Sequence, residues 1–219
     1  MCQQSNTFDI FLIGLYPLKF PFWQSEQQND TSIIIVSGLP RSGTSLMMKM
    51  LEAGGIPLVV DNLRQADIDN PEGYYELEGV KALKKGDVEW LSTAQGCAVK
   101  VISALLVHLP ATYTYRVIFM QRSMQEVLES QRRMLIRRNM PHNADDDIRL
   151  AALYARHLQN VEKWIDEQPN FVSLTVEYKR LLSESPQIAI QEVADFLQRP
   201  VDMERMRQAI NPSLYRNRA

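Results

Sequence analysis

The stretch Ser37-Gly38-Leu39-Pro40-Arg41-Ser42-Gly43-Thr44-Ser45-Leu46-Met47 follows directly on Ile33-Ile34-Ile35-Val36. An uninterrupted apolar run of this length reads as a strand, Ile33–Ser37, buried on both faces as in parallel sheets. The residues after it predict a sharp turn into a helix over Ser42–Ala53. Leu46, Met47, Met50 and Leu51 fall at helical spacing there, and Gly54-Gly55 forms the stop. A strand that ends in glycine and turns into a helix aims successive backbone N–H groups at one point, where the helix dipole adds positive potential. Gly38 and Gly43 let the backbone approach an anion, and Pro40 stiffens the loop. Arg41 brings a permanent cation beside the hydroxyls of Ser42, Thr44 and Ser45. A plain strand–helix turn of small residues accounts for the glycines, but not for Arg41 among three hydroxyls. The turn predicts an anion site.

Which anion is decided by what is missing. The nucleotide pattern G-x-x-x-x-G-K-[ST] wants lysine where this chain has Thr44. Triphosphate chemistry also needs magnesium, held in part by an acid at the end of another strand. The apolar stretch Arg116–Met120 ends in Gln121-Arg122, and Glu177 is the one acid well placed to substitute. Ordinary ATP or GTP chemistry is therefore disfavoured. A sulfuryl group carries less negative charge than a terminal phosphoryl group, so one arginine and a ring of backbone donors suffice for it without a metal.

A second motif points to a second anion. In Arg116-Val117-Ile118-Phe119-Met120-Gln121-Arg122-Ser123, the arginine stands just past a strand and the serine at a helix start. Ser123 and Glu126 have the S-x-x-E spacing of a capping box. Ser130 lies two turns beyond Ser123 on the same helix face. Arg122 and Ser130 can thus converge on the crevice beyond the carboxyl ends of the strands, where open α/β sheets bind ligands. That pair suits a phosphate distinct from the group in the first loop.

Outward from these motifs, strand-like runs alternate with helical periodicity, the pattern of an α/β domain with a mainly parallel sheet. Further strands are predicted at Ala98–Ile102, Arg116–Met120 and Phe171–Val176, and helices at Met124–Arg138, Ala144–Glu167, Pro186–Leu197 and Asp202–Ile210. The chain has 219 residues, 45% hydrophobic and 23% charged, enough for one domain with a real core. Residues 31–219 form that domain. Residues 1–30 read as a poorly ordered extension in preference to a membrane-surface segment: Phe8–Trp23 is apolar but too short to span, and Asp9, Pro17, Lys19 and Pro21 interrupt it. A net charge of −2 argues against a nucleic-acid coating protein. Two cysteines, Cys2 and Cys97, and three histidines, His108, His142 and His157, offer neither a disulfide framework nor metal spacing, which fits a reducing, cytoplasmic setting.

The motifs G-L-P-R-S-G-T-S (38–45) and R-V-I-F-M-Q-R-S-M-Q-E-V-L-E-S (116–130), with V-E-Y-K-R-L-L (176–182), resemble the sulfotransferase family. The likeness covers most of residues 33–216, including the closing N-P-S-L-Y-R-N-R. In wording it is nearer the bacterial and tyrosylprotein-type branch, with P-R-S-G-T, than the cytosolic branch, with P-K-S-G-T. The resemblance implies a three-layer P-loop-type α/β fold, with a central sheet flanked by helices. It further implies 3′-phosphoadenosine 5′-phosphosulfate (PAPS) as sulfuryl donor and 3′-phosphoadenosine 5′-phosphate (PAP) as product. Arg41, Ser42, Gly43, Thr44 and Ser45 would then hold the 5′-phosphosulfate, Arg122 and Ser130 the 3′-phosphate, and Tyr178 would lie beside adenine. The family's Y-E-D-L stretch reads Tyr178-Lys179-Arg180-Leu181 here, so only the tyrosine carries over. The family's basic closing loop is not matched, Arg216 and Arg218 being the nearest basic residues.

Sulfuryl transfer to an alcohol needs a base near the attacking oxygen. The cytosolic branch takes it from a K-T-H histidine; this chain has Lys100-Val101-Ile102 in that place, and His108 in Leu105-Leu106-Val107-His108 reads as a packed or surface imidazole. The other branch uses a glutamate some way past the loop helix. Asp69, Glu72, Glu76 and Glu78 all fall in that interval, on a loop shaped by Asn70-Pro71 and Gly73. Glu76 is the choice, because it follows Tyr74-Tyr75 where the chain re-enters the fold as a helix. Lys100 would stabilise the transferring group. Arg132, Arg133, Arg137 and Arg138 read as a solvated helix face, one or two of them attracting the anionic cofactor. Asp145-Asp146-Asp147 reads as an acidic helix start rather than a metal cluster. The acceptor is a small molecule, glycan or peptide bearing a hydroxyl or amine. The rival readings are a P-loop kinase or NTPase with a degenerate Walker lysine, and a non-catalytic nucleotide-binding protein.

Overall fold

The computed structural model describes residues 31–213 apart from Asn62, Asp69, Glu72, His142 and Pro212, with only the backbone at Ala144 and Asp145. The expected extension over residues 1–30, the candidate bases Asp69 and Glu72, and Arg216 and Arg218 lie outside the described residues.

Four parallel strands form the sheet among the described residues: β1 (Ile33–Gly38), β2 (Ala98–Lys100), β3 (Tyr115–Gln121) and β4 (Phe171–Glu177), in the order β2-β1-β3-β4. Ile34 pairs with Ala98 on one side of β1 and with Arg116 on the other, while Tyr115 pairs with Phe171. Every residue of β1 is buried. Because side chains alternate across a strand, Ile34 and Val36 enter one half of the core and Ile33 and Ile35 the other. Each such burial contributes about 2 kcal/mol before the entropy of ordering is counted.

The helices cover both faces. On the Ile34 and Val36 face lie α1 (Thr44–Ala53), α5 (Gln187–Leu197) and α6 (Met203–Gln208), through Met47, Met50, Leu51, Ile190, Val193 and Met206. Met48 is also fully buried, and Leu46 only partly, so the buried stripe of α1 is rotated slightly from the predicted one. α1 ends as the Gly54-Gly55 pair predicts: Ile56 N–H donates to the Leu51 carbonyl at 2.9 Å and Gly55 N–H to that of Glu52 at 3.0 Å, a Schellman closure. On the other face, Ile33 and Ile35 meet Val161 and Ile165 of α3 (Ala144–Asp166) and the short 3₁₀ turns Glu78–Lys85, Glu89–Ala94 and Ser103–His108. The chain past Glu76 thus re-enters the fold as a 3₁₀ turn. α2 (Met124–Arg137) follows β3, and the single turn α4 (Tyr178–Leu181) follows β4.

This order creates the crevice. From β1 the chain passes to β2 on one side and then to β3 on the other, so the connections leaving β1 and β3 diverge at their carboxyl ends. Lys100 is the last residue of β2, Arg122 is the first after β3, and Tyr178 is the first after β4. All face the same end of the sheet as the loop after Gly38.

Candidate active site

Between β1 and α1 the backbone takes positive φ at three places: Gly38 (145°), Arg41 (72°) and Gly43 (104°). Holding an arginine in the left-handed region costs about 1–2 kcal/mol, so the surrounding turn over-determines it. Side chains are excluded at both glycines for a second reason. A Cβ on Gly43 would overlap the ring of Tyr178, and one on Gly38 would strike Ser42 Oγ and the Met120 carbonyl. No side chain caps the start of α1, where Gly43 stands at the N-cap. Ser42 Oγ is buried without a hydrogen-bond partner. An uncapped helix start and a cradle too tight for any side chain are a geometry that could seat an anion. The Ser42 hydroxyl, by contrast, is enclosed beside Gly38, and, unlike its neighbours Arg41, Gly43, Thr44 and Ser45, Ser42 does not line the cavity.

Arg41 reaches across to α2, its Nε donating to Ser130 Oγ at 2.9 Å. The first motif is thereby joined to the second. Arg122 Nε donates to Glu126 Oε2 at 2.7 Å, with 8% and 6% of the two side chains exposed. Its Nη1 donates to the Arg41 carbonyl at 3.2 Å, and its Cζ lies 4.6 Å from the centre of the Tyr178 ring. The expected capping box is therefore half formed: Ser123 Oγ accepts from Glu126 N–H at 3.3 Å, but the glutamate side chain turns to Arg122. The reason is electrostatic. A buried guanidinium left without a counter-charge costs several kcal/mol, more than a cap contributes.

A second group of charges lies across the crevice. Lys100, with 8% of its side chain exposed, donates from Nζ to the Tyr74 carbonyl and stands 3.6 Å from Glu76 Oε1. Burial pulls the Lys100 ammonium down to about 8, partly opposed by Glu76. Arg64 Nη1 donates to the same Glu76 oxygen at 3.1 Å, and its Cζ sits 3.3 Å above the Tyr74 ring. Tyr74 Oη donates to both oxygens of Asp67, at 2.7 and 2.8 Å. Asn70 Nδ2 donates to Ser45 Oγ at 2.9 Å, and Ser45 Oγ donates in turn to the Tyr74 carbonyl at 3.4 Å. Ser45 therefore ties this loop to the first turn of α1.

Both groups line one cavity of about 500 Å³, with Arg41, Gly43, Thr44, Ser45, Arg122, Ser130 and Tyr178 on one flank and Arg64, Tyr74, Glu76 and Lys100 on the other. Of the candidate bases among the described residues, Glu76 lines it, whereas Glu78 is exposed and pairs with Lys81 at 2.6 Å. Arg133, Arg137 and Arg138 line it as well, more of the basic run than expected, while Arg132 pairs outward with Glu129. His108 is exposed and does not line it, and neither does Glu177. Arg180 pairs with Glu192 at 2.6 and 2.8 Å. Arg64, Asn70 and Tyr74 went unrecognised as site residues in the sequence; Asn70 and Tyr74 lie inside the stretch that supplied Glu76, but nothing around Arg64 announces it. No group of three or more His, Cys, Asp or Glu side chains among the described residues converges as metal ligands. No described helix is long and apolar enough to cross a membrane.

A parallel sheet with a glycine-bounded turn beyond β1, at the point where the connections diverge, is an α/β fold of the kind that binds ligands at the carboxyl ends of its strands. The chain belongs to the sulfotransferase domain family, which matches residues 30–217. Among solved structures it is similar to the sulfotransferase domain from the curacin biosynthetic pathway, at 17% identity and a TM-score of 0.49, over 82% of this chain and 78% of that one. It matches no curated protein. Sulfuryl transfer is accordingly its class of chemistry.

Proposed function

We propose that this protein is an enzyme that transfers a sulfuryl group from PAPS to a hydroxyl of an acceptor, with Glu76 as the base. The observation that carries this reading is the 2.9 Å bond from Arg41 to Ser130, which unites two motifs 89 residues apart in one cavity. PAPS, when bound, supplies the sulfuryl group, and PAP remains as product. The N–H groups opening α1 and Arg41 would hold the 5′ anion, with Thr44 and Ser45 at its side, while Ser42, whose hydroxyl is enclosed, would contribute through its backbone. Arg41 and those N–H groups would also meet the charge that grows there during transfer. Arg122 and Ser130 would hold the 3′-phosphate, Arg122 being fixed in direction by Glu126 and the Arg41 carbonyl. Tyr178, pinned between Gly43 and Arg122, would flank adenine.

On the other flank Glu76 would accept the acceptor's proton, oriented by Arg64 and Lys100. Lys100, its ammonium pulled by burial only to about 8, would be mostly charged at neutral pH and would stabilise the transferring group. Calorimetry tests the donor: PAP should bind more tightly than ATP with magnesium, and Arg122→Ala should erase that advantage. Tighter binding of ATP with magnesium would favour a kinase or NTPase instead.

A further inference from the structure

The direction of one proton in the cavity follows from a carbonyl. Asn70 Nδ2 contacts both the Gly73 carbonyl and Ser45 Oγ, the latter at 2.9 Å. A carbonyl only accepts, so the group turned towards it is the amide nitrogen, and that same nitrogen donates to Ser45. Turning the amide over would set its oxygen against the Gly73 oxygen. The main chain keeps Asn70 in place: its N–H donates to Asp67 Oδ1 at 3.0 Å and to the Asp67 carbonyl at 3.1 Å, and its carbonyl accepts from Gly73 N–H at 3.1 Å.

A hydroxyl has one proton and two lone pairs. With a lone pair of Ser45 occupied by Asn70, the proton is left to be given away. It goes to the Tyr74 carbonyl at 3.4 Å, at the outer limit of a hydrogen bond, and Lys100 donates to that carbonyl as well. Ser45 can therefore redirect it with little loss. Ser45 is the second residue of α1, whose start has no side-chain cap, and it lines the cavity together with Asn70. An anion seated there is the better acceptor, because hydrogen bonds to charged groups are shorter and roughly twice as strong as neutral ones.

We propose that Asn70 is a positioning residue for the donor. By occupying a lone pair of Ser45 it commits the hydroxyl proton to the 5′ anion, so the seat on α1 is complete only when the loop that carries Glu76 is docked against it. This rests on the reading that the donor's 5′ anion sits at the start of α1. The test is a double-mutant cycle read by calorimetry on the full chain, with PAP and inorganic pyrophosphate as probes. Ser45→Ala should weaken PAP binding about tenfold, and Asn70→Ala about threefold or more. The double variant should bind PAP no more weakly than Ser45→Ala alone, since Asn70 acts through that hydroxyl. Asn70→Asp, of the same shape but accepting only, should draw the proton to itself and weaken PAP more than Asn70→Ala does. A loop merely propped by Asn70 would give additive losses, and that result overturns the proposal. So does wild-type affinity in either Asn70 variant. If pyrophosphate binds and PAP does not, the donor reading falls alone: a non-additive cycle on pyrophosphate then supports this proposal, and an additive one overturns it. If neither probe binds, both fall.

Discussion

The two flanks of the cavity are built in different ways. The flank proposed for the donor consists of strand ends and helix starts: the turn after Gly38, the uncapped first turn of α1, and the α2 face that carries Ser130. Backbone geometry shapes its turn, where a single Cβ at Gly43 or Gly38 has nowhere to go, and the side-chain bonds Arg41–Ser130 and Arg122–Glu126 tie that turn to α2. The flank proposed for the acceptor hangs on the loop between α1 and the first 3₁₀ turn, and side chains hold it: Arg64 on Tyr74, Tyr74 on Asp67, Asn70 on Ser45. Only Lys100 comes to it from a strand. A group common to every reaction of a family can be gripped by main chain, which any sequence supplies. A group that differs between acceptors must be gripped by side chains, which can be exchanged without disturbing the sheet.

Substitutions on the two flanks should therefore separate binding from turnover. The largest effect is expected at Glu76→Gln, which keeps the shape and removes the base. Transfer should fall about 10²–10⁴-fold while PAP affinity, read by calorimetry, stays unchanged. A fall in PAP affinity of the same size would erase the distinction between the flanks. Next comes Gly43→Ala, which drives a methyl into Tyr178 at a φ of 104°. PAP affinity should drop by about tenfold or more, and Tyr178→Ala should recover part of that loss when combined with it, since the two changes act on one contact. Strict additivity in that double-mutant cycle would mean that the ring and the glycine do not meet.

The smallest and most diagnostic effect concerns Lys100 and pH. Unfolded, its ammonium titrates near 10.5; folded, near 8, because burial disfavours the charge. Between those values the unfolded chain binds more protons, so this group makes stability rise with pH. Below pH 8 both states are charged, and the full penalty, about 3 kcal/mol, is present. Transfer should meanwhile decline as pH rises through about 8, as the ammonium is lost. Stability and activity thus move in opposite directions across one window, a pattern that urea denaturation and initial rates can follow side by side. Lys100→Arg, charged throughout, should shift the alkaline decline of activity to higher pH. A decline unmoved by that change would remove Lys100 from the reaction.

How much of this could be read from the sequence depends on whether the signal is local. Ile33–Val36 announced a strand buried on both faces because four apolar residues in a row have no other economical use. Gly38, Gly43 and the two-turn spacing from Ser123 to Ser130 encode geometry within a few residues, and the structure brings Arg41, Arg122 and Ser130 together as that spacing suggested. The S-x-x-E pattern holds in its Ser123 half, where the hydroxyl caps α2, but the Glu126 carboxylate goes to a buried arginine whose cost no local pattern records. Arg64 is the extreme case. It is one arginine in an irregular loop, and its role emerges only when the fold brings Glu76 and Tyr74 beside it.

The carbonyl of Tyr74 has a consequence of its own. It accepts from Ser45 Oγ at the first turn of α1 and also from Lys100 at the end of β2. One oxygen atom is thus the common fulcrum for a helix start and a strand end. A displacement of the loop would pull on both levers, so the spacing between the first turn of α1 and the Lys100 ammonium is tied to the main chain of Tyr74.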